Sequence, residues 1–557
     1  MKPNSVFNIL LPLLLLGPAA MANGAEAAPA RPNVVIILAD DMGFSDAGCY
    51  GSEIQTPNLD KLASGGLRFT QFYNTTRCWP SRASILTGYY AQQVRRDAMP
   101  GLPNGGTGGV RPAWAQLLPE LLRPLGYRSY HSGKWHVDGK VLAGGFDHSY
   151  SLNDHDRYFN PRQHTLDDRP LPAVAPGSGY YTSTAIAQHA IEMLAEHQAQ
   201  HREQPFFLYL AFNAPHFPLH ALPEDIAIYR ERYRDGWDAL RQERFGRMQK
   251  LGIVNCALSK LDPDFVPSWN LSAQKLRELI GPGEVGRAVP WDSLNAEQKE
   301  FQPVKMAIHA AMIHRMDIEI GRVLEQLRTM GVFENTVVFF MSDNGASAEQ
   351  IIRGDKHDPA APPGSAKTFL SIGPPWSTAA NTPYRLHKSW VHEGGISTPL
   401  IVHWPQGIAA RGELRHDPGH LIDLAPTILE LAGGKWPETC GGKAVPAPPG
   451  KSLVPAFAKD NAVSHDYFWW YHIGNKALRA GDWKLVATAQ GTWELYDLST
   501  DRCESKNLAA EHPEKAKELE DAWQKHAAEF LKLATQDLEP HEGNKEGQRK
   551  FIERLNP

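Results

Sequence analysis

Two pairs of oxygen-donor residues could hold a cation. Asp40-Asp41 follows the apolar run Val34-Val35-Ile36-Ile37-Leu38, and Asp343-Asn344 follows Val337-Val338-Phe339-Phe340-Met341. Acids packed together repel unless a positive charge neutralises them. Oxygen donors without imidazole or thiolate suit calcium or magnesium better than zinc. Asp40-Asp41 alone would equally serve as a helix cap, and the second pair tips the reading towards an ion. Cys78 opens the segment Cys78-Trp79-Pro80-Ser81-Arg82-Ala83-Ser84-Ile85-Leu86-Thr87-Gly88. Pro80 suits the first turn of a helix, which puts residue 78 near a helix N-terminus, where free N–H groups favour anions. A lone cysteine is more often a small buried hydrophobe. Lys134 and His136, two residues apart, are predicted to share one face of a strand, although a Lys-X-His pair by itself is more often solvated surface. His216 follows the run Phe206–Leu210, with His220 close behind, and Lys388 precedes Glu393-Gly394-Gly395, read as a structural turn.

The elements that must position these residues follow from periodicity. The three apolar runs are continuous rather than alternating, as in parallel strands buried on both faces. Each ends in one of the polar groups above. Between them lie helical patterns, one of which puts Ile308, Met312, Met316, Ile320 and Leu324 on a single face. Strand-helix alternation predicts an α/β sheet with helices on both sides, with ligands beyond the carboxyl ends of the strands. Residues 222–300 are charged and proline-punctuated, and read as an insertion. Past residue 435 the texture changes, and Pro446–Pro449 make a linker. Short strand-like pieces (Tyr467–Tyr471, Lys476–Arg479, Trp483–Val486, Trp493–Tyr496) precede a helix over Pro513–Leu533. They predict a small antiparallel sheet packed by one helix. The tail from Glu539 is charged.

The Cys78–Gly88 segment resembles the sulfatase signature, Cys-X-Pro-Ser-Arg followed by Ala-X-X-X-Thr-Gly, at every specifying position. The resemblance implies that a maturation enzyme oxidises Cys78 to formylglycine, whose hydrated aldehyde is the nucleophile. Gly126-Tyr127, with Gly133-Lys134-Trp135-His136, resembles the second signature of that family. By resemblance, Lys134 binds sulfate and nucleophile, His136 is the base that releases the product, and Arg82 orients the nucleophile. Asp40, Asp41, Asp343 and Asn344 would bind one calcium, completed by an oxygen of residue 78 (Cys78 in the gene product) and one of the substrate. His216 would protonate the leaving alcohol, with His220 as the rival for that role, and Lys388 would grip the sulfate. The family implies an alkaline-phosphatase-like catalytic domain over residues 28–435 and a smaller α+β domain over 436–557. Gly236–Arg241, Gly474–Arg479 and Gly481–Leu485 resemble the arylsulfatase branch. His472 and Asn475 are candidates for the pocket mouth. Trp470 is read equally as pocket wall or core.

Composition bounds the rest. The chain has 557 residues, 42% of them apolar, enough for a large core and more than one ordinary domain. A net charge of −5 argues against a nucleic-acid binder. Residues 1–27 read as a signal peptide: Lys2, an apolar stretch over Val6–Leu16, then Ala20-Met21-Ala22 and Ala25-Glu26-Ala27 as cleavage sites. That stretch is too short for an ordinary membrane span, so a periplasmic or secreted protein is expected. Five cysteines leave one unpaired, and a Cys440–Cys503 bridge is the favoured pairing. The expected partner is a sulfated small molecule or glycan. Two alternatives stay open: a phosphoric or phosphonic ester hydrolase on the same fold, and a non-catalytic glycan-binding relative, which would need a lost catalytic residue.

Overall fold

The computed structural model describes Met1 and residues 31–103, 105–353 and 357–538. The expected signal peptide and the charged tail from Glu539 lie outside the described residues. Eleven strands form one mixed sheet: β1 (Asn33–Asp40), β2 (Leu67–Tyr73), β3 (Arg128–Gly133), β4 (His148–Leu152), β5 (His164–Leu166), β6 (Arg169–Pro170), β7 (Phe206–Pro215), β8 (Thr336–Ser342), β9 (Ser397–His403), β10 (Glu413–Arg415) and β11 (Gly419–His420). Their spatial order is β10-β2-β9-β8-β1-β7-β3-β4-β5-β6, with β11 beside β2.

The three continuous apolar runs are β1, β7 and β8, every residue of them buried. They pair in parallel around β1. β1 divides its side chains between the two faces of the sheet. Val35, Ile37 and Ala39 enter one core and Val34, Ile36 and Leu38 the other, as the two-residue period of a strand requires. Helices cover both faces. The helix Ala296–Thr329 packs Ile308, Met312, Met316, Ile320 and Leu324 into the first core, and Leu424–Leu431 lies in the second.

Residues 222–300 carry three helices, Pro223–Tyr229, Gly236–Lys250 and Ala273–Leu279. Trp237 stands edge-on to Trp291 and Trp376, with ring centroids 4.8 and 5.3 Å away. That aromatic cluster fastens the segment to the main core. A two-stranded piece, β12 (Thr439–Cys440) with β13 (Lys443–Ala444), leads to the second sheet. The second sheet is antiparallel, in the order β14 (Phe468–His472), β15 (Asn475–Ala480), β16 (Trp483–Ala487), β17 (Glu494–Asp497). The helix Pro513–Thr535 packs Leu519, Trp523, Phe530 and Leu531 against Trp469, Leu478 and Leu485 of this sheet. No helix among the described residues is long and apolar enough to cross a membrane.

Two expectations are corrected. Cys503 does not meet Cys440. Its sulfur lies 2.6 Å from that of Cys256, on the segment after the helix Gly236–Lys250, while the Cys440 thiol donates to the Ala113 carbonyl at 3.5 Å. Nearness in the chain misled, because the segment around Cys256 folds against the small domain. Lys134 and His136 are not on a strand. β3 stops at Gly133, which has φ 121° and whose added Cβ would come 1.9 Å from the Ala211 carbonyl oxygen. The chain then leaves the sheet, and His136 takes the left-handed φ of 54°.

Candidate active site

Four neighbouring parallel strands, β8, β1, β7 and β3, end on the same edge. Each delivers a predicted group there: Asp343-Asn344 after β8, Asp40-Asp41 at the end of β1, His216 after β7, and Lys134 and His136 after β3. Crossing this edge is the helix Cys78–Thr87, with Arg77 as its N-cap and every residue but Trp79 buried. Cys78 therefore sits where unpaired backbone N–H groups and the helix dipole favour negative charge. Lys388 comes from the loop before the short helix Glu393–Ile396. Asp41, Thr76, His136 and Ser389 all have positive φ. Such strain in non-glycine residues gathers where a surrounding structure holds functional groups in place.

Charge alternates through the cluster. Arg82 bonds Asp343 Oδ2 through Nε (3.0 Å) and Nη2 (2.9 Å), pairs with Asp40 Oδ2 (3.1 Å), and donates to the Lys134 carbonyl (2.7 Å). Lys134 Nζ is 2.5 Å from Asp40 Oδ2, and Lys388 Nζ is 2.6 Å from Asp41 Oδ1. His216 Nε2 faces Asp41 Oδ2 at 3.7 Å, while its Nδ1 donates to the Phe217 carbonyl. The rings of His136, His155 and His216 form a chain with centroids 5.9 and 5.4 Å apart.

Burial opposes ionisation of Asp40, yet Lys134, His216, Arg82 and Lys388 together hold its carboxyl well below the usual range. Burial, and then the Asp40 charge, push Asp343 up to about 7. Burial raises the Cys78 thiol more than Lys134 and Lys388 lower it. His136 and His216 are both held well below the imidazole range, first by burial, then by Lys134 and His155 for His136 and by Lys388 and Lys134 for His216. The donors themselves suit a cation. Asp40 Oδ1, Asp41 Oδ2 and Asn344 Oδ1 are buried with no hydrogen-bond partner. Asp40, Asp41 and His216 also offer ligand atoms within 4.8 Å of one another. Buried oxygens left unpaired in this way are costly unless an ion or water takes them up.

The structure thus gathers Asp40, Asp41, Cys78, Arg82, Lys134, His136, His216, Asp343, Asn344 and Lys388. It sets His220 apart: its Nε2 bonds the Thr368 carbonyl at 2.7 Å, and burial lowers it to about 4. Trp470 belongs to the core and donates to the Asn74 carbonyl. His472 is fully buried against Asp97 (2.9 Å), with its ring 5.6 Å from Trp79. Asn475 lines a cavity next to Ser389.

Sequence reasoning missed Glu349, Arg77, Trp79, His155 and Trp269. Arg77 pairs with Glu349 Oε1 (3.1 Å), and Glu349 Oε2 lies 3.6 Å from Lys388 Nζ. Arg77 and Trp79 flank Cys78, and that adjacency was the available signal. Glu349 and His155 carried none.

Comparison with known proteins agrees with this geometry. The family profile described as Sulfatase matches residues 32–434, and one described as N-sulphoglucosamine sulphohydrolase, C-terminal, matches residues 384–530. A Schizosaccharomyces pombe protein described as an uncharacterized sulfatase is 33% identical over 91% of this chain and 96% of its own. The arylsulfatase of Klebsiella aerogenes is 32% identical over 74% of this chain and 89% of its own. A crystal structure of Ps i-CgsB with a bound neocarrahexaose superposes with a TM-score of 0.64 at 23% identity, covering 95% of this chain and all of that one.

Proposed function

The chain belongs to the sulfatase family and hydrolyses sulfate esters, and we propose that its nucleophile is formylglycine, made from Cys78 by a maturation enzyme. One observation carries this reading. Residue 78 stands at a helix N-terminus under the charges of Lys134 and Lys388, in a site whose burial keeps its thiol protonated. A cysteine acting directly would need its thiolate, which burial disfavours. A sulfate ester, in contrast, is the kind of anion that the helix end and two ammonium groups attract. Hydrated formylglycine supplies two hydroxyls on one carbon, one to attack sulfur and one whose proton is later removed to re-form the aldehyde. Asp40, Asp41, Asp343 and Asn344 would hold a calcium ion, which would supply positive charge to the site.

The chain's own residues divide the remaining work. Lys134 and Lys388 hold the sulfate oxygens and are themselves held by Asp40 and Asp41. Arg82 ties the Lys134 carbonyl to Asp40 and Asp343, fixing the strained loop that presents His136. His136, neutral in the free site, accepts the proton that releases sulfate. His216 is the leaving-group acid. Its Nδ1 is committed to the Phe217 carbonyl, so the proton it gives is on Nε2. The charge of a bound ester opposes the lysines that depress His216 and favours that protonation.

Aryl sulfates and sulfated sugars are the substrate classes proposed, the first supported by the arylsulfatase relative. The leader over residues 1–27 supports export to the periplasm or medium. The test compares kcat/KM on matched nitrophenyl sulfate and nitrophenyl phosphate. The sulfate is expected to win by on the order of 10²-fold or more. Preference for the phosphate would replace this reading with a phosphoester hydrolase on the same fold.

A further inference from the structure

A cavity of about 420 Å3 opens beside the sulfate-handling residues. Three parts of the chain build it: Asp264–Trp269 of the insertion, Ser389-Trp390 next to Lys388, and the turns of the small sheet at Ile473, Asn475 and Thr488–Gln490. Its volume lies in the range of about 300–1,000 Å3 that small-molecule sites occupy. A larger cavity, about 660 Å3, lies around Ile226 and Pro363, and none of the site residues lines it.

Trp269 is the feature of this cavity that a packed core does not explain. It is 38% exposed, yet it is held firmly. Its indole N–H donates to Glu349 Oε1 at 2.7 Å, and the Arg77 guanidinium lies over its ring at 5.6 Å. Both holding groups belong to the reaction centre. Arg77 directly precedes residue 78, donates to Ser389 Oγ at 2.7 Å, and also covers Trp79. Glu349 reaches Lys388. Only one residue therefore separates the nucleophile position from this aromatic platform.

Around the platform the chemistry is mixed. Phe265 and the exposed Ile473 add apolar surface, while Ser268, Thr488 and Gln490 offer hydroxyl and amide groups. Asn475 is not among the available donors, since its amide already bonds the Ser389 and His472 carbonyls. One flat apolar face ringed by hydrogen-bonding groups matches a pyranose, which has an apolar face and a hydroxyl rim. A plain phenyl ring would use the face and leave the rim idle.

We propose that this cavity is the leaving-group subsite, that it takes a saccharide ring, and that Trp269 is the stacking platform that sets the preference for sulfated sugars. The proposal rests on the sulfatase reading above. The enzyme is assayed as the full, matured chain on nitrophenyl sulfate and on sulfated hexosamine and galactose disaccharides. The readout is the ratio of saccharide to aryl kcat/KM. Trp269→Ala is expected to lower that ratio about 10-fold to 100-fold, mainly through a higher KM for the saccharide. Trp269→Phe, which keeps an aromatic face but loses the bond to Glu349, is expected to recover most of it. Gln490→Ala, on an exposed turn and safe for folding, is expected to raise saccharide KM about 3-fold to 10-fold. An equal proportional loss on both ester classes in Trp269→Ala would overturn the proposal, as would an unchanged saccharide KM in both Trp269→Ala and Gln490→Ala. If the parent enzyme cleaves nitrophenyl sulfate but none of the disaccharides, the subsite proposal fails alone. If it cleaves no sulfate ester, the reading beneath it fails.

Discussion

His136 and His216 are both buried imidazoles that Lys134 depresses, with Lys388 acting on His216 as well, but their surroundings differ. His216 faces Asp41 across 3.7 Å with one nitrogen committed to a carbonyl, whereas the Nδ1 of His136 has no partner. If His216 protonates the departing alcohol, its loss matters in proportion to the basicity of that alcohol. General acid catalysis is typically worth about 10²–10⁴-fold where it is needed. A nitrophenolate leaves without help, so His216→Ala is expected to cost little on nitrophenyl sulfate and far more on a sugar sulfate. His136→Ala is expected to stop after the first transfer and leave sulfated enzyme with either substrate. Single-turnover kinetics of both variants on both esters distinguishes these roles, and an equal loss for His216→Ala on the two esters would remove it from the acid role. These two residues were legible in the sequence because they lie in short segments that resemble the sulfatase signatures; their types and spacing alone would not have marked them. Glu349 was not legible: it binds Arg77, Trp269 and Lys388 across long stretches of chain. Nothing local marks it.

At the scale of elements, the edge formed by β8, β1, β7 and β3 gathers the acids. The runs that make β1, β7 and β8 were readable because strands buried on both faces are continuously apolar, which the polar β3 is not. Where the strands stop was less readable. The break after β3 depends on how closely Gly133 approaches Ala211, a contact between strands that no single stretch of sequence records. Two of the elements, β1 and β8, end in carboxylate and amide oxygens left without partners. A divalent ion bound there stabilises the fold by mass action, about 2.7 kcal/mol at a hundred times its Kd. Chelation is therefore expected to lower the melting temperature and abolish activity, with calcium restoring both better than zinc. Asp343→Ala is expected to abolish the calcium-dependent shift in melting while the antiparallel sheet of the small domain persists by circular dichroism. Stoichiometric zinc without calcium in the purified protein would contradict the donor argument.

On the scale of the whole molecule, the small sheet is not an appendage. Lys484 of β16 bonds Glu393 Oε1 (2.9 Å) and Glu504 Oε1 (2.7 Å), all three side chains fully out of solvent, and Arg502 adds a contact to Glu393 at 3.3 Å. Glu393 begins the short helix that follows the Lys388 loop, so this network couples the small sheet to that loop. Lys484→Ala leaves two buried carboxylates short of their cation and is expected to cost about 3–5 kcal/mol in chemical denaturation. A loss below about 1 kcal/mol would show that the network is dispensable. The sequence displayed the four strands and the helix of this domain through their aromatic spacing. It could not display the seam, because Glu393 lies far from Lys484 and Arg502 in the chain and meets them only once it folds. Whole-molecule function nonetheless turns on one side chain. The most direct test measures, by peptide mass spectrometry, the fraction of residue 78 that is about 18 Da lighter than cysteine, the change from thiol to aldehyde, in preparations of graded maturation. Specific activity on nitrophenyl sulfate is expected to rise in proportion to that fraction and to extrapolate to zero when it is absent. Full activity in a preparation whose residue 78 is entirely unmodified cysteine would contradict the account.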